Sequence, residues 1–440
     1  MDYYLAIDIG STSGRHIVGW LENGKIRLRE VYRFSNRADK KDGHLIWDIE
    51  RLYSEVINGI RCAFSLYPDI RSLSVDTWGG DYVLMNGDSE ILPCYTYRDY
   101  RTEEAVQKVH EIIPFDEIYK RVGYQYGPYN TIYQLYSDKI KGRLEHATDF
   151  LMMPEYLLYR LSGVKMKEAT NNSTTSLVDP RTRQFDPELI RLLGYPEHLF
   201  PELRSPGTLM GTLRPEIARE VGGSCDVILC ATHDTQSAIS VIPMEQDQLY
   251  ISSGTWSLLG IRLDHPILSI EGARAGFSNE SGLEYICYLT NIVGMWIVEQ
   301  LRSELCPGEN FDVIVKKAEE SGYKFLIDPN LPLFNAPASM SQAMRQYLAE
   351  HGQALPESTG DYFSCAYHSL AASYHHSISA LEKVTGQTYQ KIYITGGGAK
   401  NAFLNRLTEE YTGKEVIPFP IEASTAGNIM FQMKTDRTSA

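Results

Sequence analysis

Short apolar runs alternate with longer stretches in which apolar positions recur every three or four residues. The first run, Leu5–Ile9, meets a polar turn, Gly10-Ser-Thr-Ser-Gly-Arg15, and the chain becomes apolar again over His16–Trp20. Asn23-Gly24 is a two-residue hairpin signal, and Lys25–Phe34 reads as a third strand. Asp48–Tyr67 then carries Ile49, Leu52, Val56, Ile60 and Phe64 at helical spacing. Ser72–Val75 and Tyr82–Met85 read as strands around Asp76-Thr-Trp-Gly-Gly-Asp81. From Glu103 to about Leu193 the pattern is mostly helical, with segments such as Thr131–Ile140 and Met152–Leu161 and polar connections such as Asn171–Ser176.

The second half repeats the alternation. Asp226–Ala231 is a buried-type strand ending in Thr232-His-Asp-Thr235, with a helix after it. Leu249–Leu263 reads strand, Gly-Thr-x-Ser turn, strand, which matches Ala6–Trp20 and suggests a duplicated unit. A strand near Leu283–Leu289 and helices near Val293–Leu305, Ser339–His351 and Tyr362–Val384 follow. Lys391–Thr395 is a strand that runs into Gly396-Gly-Gly398 and the helix Ala402–Tyr411, and Pro420–Asn428 begins a last helix.

At 440 residues the chain is too long for one core. Lys plus Arg is 42 against 56 Asp plus Glu, a net charge of −14, which argues against a nucleic-acid or anionic-membrane surface. The start has no basic n-region, and no apolar run approaches the roughly 20 residues that cross a bilayer. Seven scattered cysteines without a Cys-x-x-Cys pair read as reduced thiols of a cytoplasmic protein.

Three strands end in an acid: Asp8, Asp76 and Asp234. One such acid is commonly a helix N-cap or a strand-end hydrogen-bonder; three on separate strands suit a cleft lined with carboxylates. Gly10–Arg15 offers inward backbone N–H groups, hydroxyls and a fixed cation, a set suited to phosphate or simply to a tight turn. No Gly-Lys-Ser/Thr follows, and a strand rather than a helix comes next, so neither a Walker loop nor a Rossmann fingerprint fits. Pro93–Thr102 holds three tyrosines, two arginines and an aspartate, which suits a polyol site or a solvated aromatic loop. Gly396–Gly398 ahead of a helix suits a nucleotide approaching bare backbone.

Together these residues resemble the FGGY carbohydrate kinases along essentially the whole chain. The resemblance rests on Asp8–Arg15, Asp76–Gly79, Tyr97–Thr102, Gly123 with Gln125 and Asn130-Thr131, Met153-Pro154, Ala231–Thr235, Ser253–Ser257, Asn291 with Gly294 and Trp296, Gly396–Gly398 with Asn401, and Glu422–Thr425. It implies an α/β fold of two ribonuclease H-like (actin/hexokinase-type) domains around a central cleft, 1–242 and 243–440. It implies transfer of the ATP γ-phosphate to the 1-hydroxyl of L-rhamnulose, with L-fuculose and L-xylulose as the nearest alternatives. Asp234 matches the proton acceptor. Gly79, His233 and Asn291 match sugar contacts, and Thr235 flanks the base. Ser11, Thr12, Ser13, Gly14, Arg15, Thr255, Gly396, Gly397 and Gly398 match the ATP site, and Asp8 an acid near Mg2+ acting through water. The partners implied are sugar and ATP, with the protein a monomer or homodimer.

Three departures stand out. The ATP-side glutamine falls at Glu299, with Gln300 one place late. Gly80 stands where an aliphatic residue is usual. The family continues for some tens of residues past Glu422–Thr425, whereas this chain ends in a polar Lys434–Ala440 stretch, which reads as a shortened second domain. Glu299 and that ending also suit a second class, a non-catalytic ATP- and sugar-binding protein of the same fold.

Overall fold

The computed structural model describes residues 1–245, 247–335, 337–419 and 422–438. Two six-stranded sheets organise it. In the first, Tyr3–Ile9 is central. It pairs antiparallel with Ser13–Glu22, which pairs with Lys25–Ser35, and parallel with Ile70–Thr77, followed by Asp226–Leu229 and Thr208–Thr212. In the second, Gln248–Ser253 is central. It pairs antiparallel with Trp256–Leu263, then Ile286–Val293 and Ser278–Ser281, and parallel with Lys391–Thr395, then Glu415–Pro418. The two central strands and their hairpin partners therefore hold the same place in each sheet.

The buried faces follow the periodicities. Ile49, Leu52, Val56, Ile60 and Phe64 of the Ile49–Leu66 helix are all buried against the first sheet, and Asp48 caps the helix by accepting from the Arg51 N–H at 2.9 Å. The 27-residue helix Thr359–Thr385 opens with a Ser358/Asp361 capping box and buries Phe363, Leu370, Tyr374 and Ile378 under the second sheet. All seven cysteines are free. Among the described residues, no helix is long and apolar enough to cross a membrane.

The region read as mostly helical also holds a strand, Asp149–Met152, antiparallel to Tyr82–Asn86. Four residues are too few to register a period. The last helix runs over Ala423–Thr438 and takes in much of the stretch read as a polar tail. Pro420 and Ile421 lie outside the described residues, as do Ser439 and Ala440.

That helix packs on the first sheet, although it follows the second in sequence. Tyr4, Ala6, Ile429 and Met433 form an apolar cluster, and Tyr4 donates to Asp436 at 2.9 Å. Gln432 donates to the Leu5 carbonyl at 3.0 Å and accepts from Ser72 at 2.7 Å. Ser424 donates to Asp8 at 2.6 Å and Asn428 to Asp76 at 2.5 Å. Replacing Asn428 by Ala removes the donor to the buried Asp76 oxygen and one of the two acceptors of the Gln432 amide. It is expected to lower stability by about 1–3 kcal/mol, read as a lower urea midpoint.

Candidate functional site

Two loops enter one cavity from opposite sheets. The first follows Tyr3–Ile9, where the Gly10 N–H donates to Ser13 O at 2.9 Å; the second follows Gln248–Ser253, where the Gly254 N–H donates to Trp256 O at 2.9 Å. Each turn closes on its own backbone, so its outer edge faces the space between. That cavity measures about 320 Å³. Gly10, Ser11 and Thr12 line one side, and Gly254, Thr255 and Trp256 the other. Gly79, His233, Asp234, Thr235 and Asn291 complete the expected sugar set.

Asp234 opens the Asp234–Ser240 helix. Its Oδ1 accepts from the Thr235 N–H at 2.6 Å and the Thr235 hydroxyl at 3.3 Å, and His233 Nε2 lies 3.5 Å away. Burial raises the Asp234 carboxyl, His233 and Thr235 pull it back, and the balance is about 6. Thr232, two residues before Asp234, is fixed by Glu168, whose Oε2 accepts from the Thr232 N–H at 3.1 Å and the Thr232 hydroxyl at 2.7 Å. Asn171 donates to the Thr232 carbonyl at 3.2 Å, and the Thr77 N–H to the same carbonyl at 2.9 Å. The strand end that presents Asp234 is thus bonded on every side. Asn291 brings a buried side-chain oxygen with no hydrogen-bond partner to the cavity, which suits a ligand hydroxyl.

The remaining expected residues, Asp8 among them, are not part of the cavity wall. Asp8 is buried, and Arg15 folds back onto it with Nη2 at 2.8 Å and Nε at 3.1 Å. Burial opposes the Asp8 charge, yet Arg15 and Ser424 outweigh it and hold the carboxyl below its usual range. Arg15, Ser13 and Gly14 do not line the cavity, nor does the glycine triplet. Gly396 and Gly398 instead lie against the Gln248–Ser253 strand. A Cβ on Gly396 would sit 2.6 Å from Ser253 O, and one on Gly398 2.0 Å from Ser253 Oγ. Packing alone therefore calls for glycine at both positions. A Cβ on Gly397 would meet nothing within 4 Å, so only there is bare backbone free to face a ligand.

The tyrosine-rich loop divides by role. Tyr97 lines the cavity. Arg101 is buried against Asp138 at 2.9 Å, and Asp99 accepts from the Leu45 N–H at 2.7 Å, so both hold the loop rather than reach the cavity. Gly80 has a φ of +90°, and its carbonyl accepts from Thr131 at 2.8 Å and Gln134 at 3.0 Å. That backbone excludes the aliphatic residue usual there. Glu299 is half-exposed on the Trp296–Leu305 helix and leans toward Arg302, with N–O at 3.5 Å.

Several lining residues were not anticipated as ligand contacts: Trp78, Tyr124, Tyr129, Thr174 and Glu280. Glu280 had a signal in the chain. Ser278-Asn-Glu-Ser281 is four polar residues in a row, all buried in one strand. So polar a strand has no place in an apolar core.

Comparison with known proteins now names the architecture. The model of the FGGY family of carbohydrate kinases, N-terminal domain, matches residues 3–240, and that of the C-terminal domain matches residues 249–435. The chain belongs to the FGGY family of carbohydrate kinases. Among curated relatives, a rhamnulokinase of Oceanobacillus iheyensis is 38% identical over 98% of this chain and 92% of its own length. One of Bacillus subtilis is 36% identical over 98% and 90%. The fold also matches solved structures, at identities that speak only to fold. A ligand-bound xylulose kinase from Lactobacillus acidophilus has TM-score 0.78 at 16% identity, covering 100% of this chain and 90% of its own. A Plasmodium falciparum glycerol kinase with ADP has TM-score 0.77 at 15% identity, covering 100% and 90%.

The glycine triplet yields a paired test. Gly398→Ala forces Ser253 to move and is expected to lower the thermal midpoint by several degrees. Gly397→Ala is expected to leave that midpoint unchanged, and a raised ATP KM in it alone would mark the ligand-facing position.

Proposed function

We propose that this FGGY kinase is a rhamnulokinase, transferring the ATP γ-phosphate to the 1-hydroxyl of L-rhamnulose in rhamnose catabolism. Identity to curated rhamnulokinases, sustained through both domains, supports the substrate. The observation that carries the chemistry is the meeting of Asp234 with the Ser11-Thr12 and Gly254-Thr255 loops at one cavity.

Asp234 acts as general base. Its Oδ1 is held by Thr235 and its carboxyl titrates near 6, close to the optimum for taking a hydroxyl proton at neutral pH. The sugar O1 bonds to the γ-phosphorus as the bond from that phosphorus to the bridging oxygen breaks. ADP leaves with that oxygen, and the proton rests on Asp234 until solvent takes it. Because such a transition state is loose, position and charge neutralisation carry most of the rate. Gly79, His233, Thr235 and Asn291 orient the sugar. Ser11, Thr12 and Thr255 face the nucleotide phosphates from the cavity wall, and Gly397 offers the free backbone of the glycine triplet, while Arg15 acts through Asp8. We take residues 1–242 and 243–440 as the two domains, a division the limits of the family matches support.

Magnesium carried with ATP would neutralise charge on the phosphates. Asp8 is the group we assign to hold it, through water. Arg15 and Ser424 keep Asp8 ionised, and no cluster of three or more His, Cys, Asp or Glu suited to a metal occurs among the described residues. A contact through water fits those facts better than a resident cage. Free thiols and the use of ATP favour the cytoplasm.

The test is a coupled ADP-release assay with L-rhamnulose, L-fuculose, L-xylulose and glycerol. L-Rhamnulose should lead, and Asp234→Asn should lose about 10²–10⁴-fold in kcat. Turnover led by another sugar sinks the substrate but not the family. A base must be ionised to work, and burial has raised this one, so kcat/KM should fall about tenfold per unit as pH drops below about 6. A flat profile from pH 5 to 8 would remove Asp234 from that role.

A further inference from the structure

A carboxylate from the second sheet reaches across to the histidine beside Asp234. Glu280 sits on Ser278–Ser281, the edge strand of that sheet, and its side chain is 1% exposed. Its Oε2 lies 3.1 Å from His233 Nδ1 and accepts from Gln236 at 2.9 Å; its Oε1 accepts from Tyr124 at 3.3 Å. The opposite ring nitrogen of His233 is the one 3.5 Å from Asp234 Oδ1. Glu280, His233 and Asp234 thus stand in a continuous line, carboxylate, imidazole, carboxylate, and all three border the cavity.

The edge strand is anchored to the first domain, which fixes the line. Gln125 N–H donates to Ser278 Oγ at 3.0 Å, Asn279 N–H to Gly123 O at 2.8 Å, and Ser281 N–H to Ser173 Oγ at 3.0 Å. Glu280 therefore stays with His233 although its sheet belongs to the other domain.

We propose that Glu280 is a positioning residue for phosphoryl transfer: it holds His233 as an imidazolium, and that cation sets the basicity of Asp234 and directs an N–H to the sugar. The proposal rests on Asp234 being the base. Burial by itself lowers the His233 imidazole. Glu280 and Asp234, with Glu168 behind them, outweigh burial and raise it above its usual range. His233 in turn pulls down the Asp234 carboxyl, against burial and the Asp8 charge, with Asp76 a further acid on that side. Tyr124 faces Glu280 from the remaining direction. Without the Glu280 charge, burial would leave His233 neutral, and Asp234 would lose its nearest cation.

The sign follows. In Glu280→Gln, which keeps the side chain's shape, the acid limb of kcat/KM is expected to move up by about one pH unit or more. For a one-unit move the loss should be about twofold at pH 7, approach tenfold near pH 5 and vanish toward pH 9, and Glu280→Asp should bring the limb back toward 6. A merely structural Glu280 would lower the rate by one factor at every pH, and a limb still near 6 in Glu280→Gln overturns the proposal. Asp234→Asn is assayed beside it. Turnover within tenfold of wild type in Asp234→Asn removes the base reading itself and this proposal with it. Should Glu280→Gln fail to fold, histidine NMR of the wild type decides, with the His233 signal assigned by its loss in His233→Asn. His233 still protonated above pH 7 supports the line; deprotonation at or below 6.5 overturns it.

Discussion

The structure depends on how two carboxylates are kept side by side. Asp8 and Asp76 are register partners on adjacent parallel strands, both buried. Neighbouring buried charges of one sign are prohibitive unless one is neutralised or both are paired. Both solutions are used. Asp76 is pushed well above the usual carboxylate range, by burial first and the Asp8 charge second, so the proton of the pair rests on Asp76. Asp8 stays ionised because Arg15, Ser424 and Thr425 all donate to its Oδ2. Two of those donors, and Asn428 on Asp76, come from the last helix. These two acids therefore gain Ser424, Thr425 and Asn428 as donors only once the last helix has packed over them.

That return ties the domains together. The last helix packs on the Tyr3–Ile9 strand through Ile429 and Met433, and the edge strand Ser278–Ser281 hydrogen-bonds to Gly123, Gln125 and Ser173. Both contacts join residues far apart in sequence, and both end at buried carboxylates: Asp8, two residues before the Gly10–Thr12 wall of the cavity, and Glu280, which lines it. The cleft is thus built at the crossings rather than by either domain alone.

What the chain reveals by itself follows from range. The Ile49–Leu66 helix, the Asn23-Gly24 hairpin, the Lys391–Thr395 strand and the matched loops at Gly10 and Gly254 are written in local periodicity and turn chemistry, and they were legible. So were Asp234, His233, Thr255 and Asn291 as a set, through motif resemblance. The strand Asp149–Met152 was too short to show a period. Arg15 reads as a phosphate cation in sequence because nothing local reveals that Asp8, across the hairpin, takes it. The glycine triplet invites a ligand reading throughout, yet two of its members answer to Ser253, a neighbour made only by the parallel pairing of distant strands. Glu280 escaped for the same reason: its partners Gln236, His233 and Tyr124 lie 44 to 156 residues away in sequence.

In the proposed role of base, a carboxyl raised to about 6 would also activate water, and ATP would then be hydrolysed without sugar. The site answers with geometry rather than basicity. Trp78, Tyr97, Tyr124, Tyr129 and Trp256 line a cavity of about 320 Å³ together with polar groups spread around its wall, more of them than one water can meet at once. A polyol brings several hydroxyls at once, enough to meet Asn291, His233 and Asp234 together. Selectivity for sugar over water then comes from the number of simultaneous contacts, which orient one hydroxyl for transfer and displace the competitor. The unpartnered buried oxygen of Asn291 would then be as much a part of discrimination as the carboxylate proposed to take the proton.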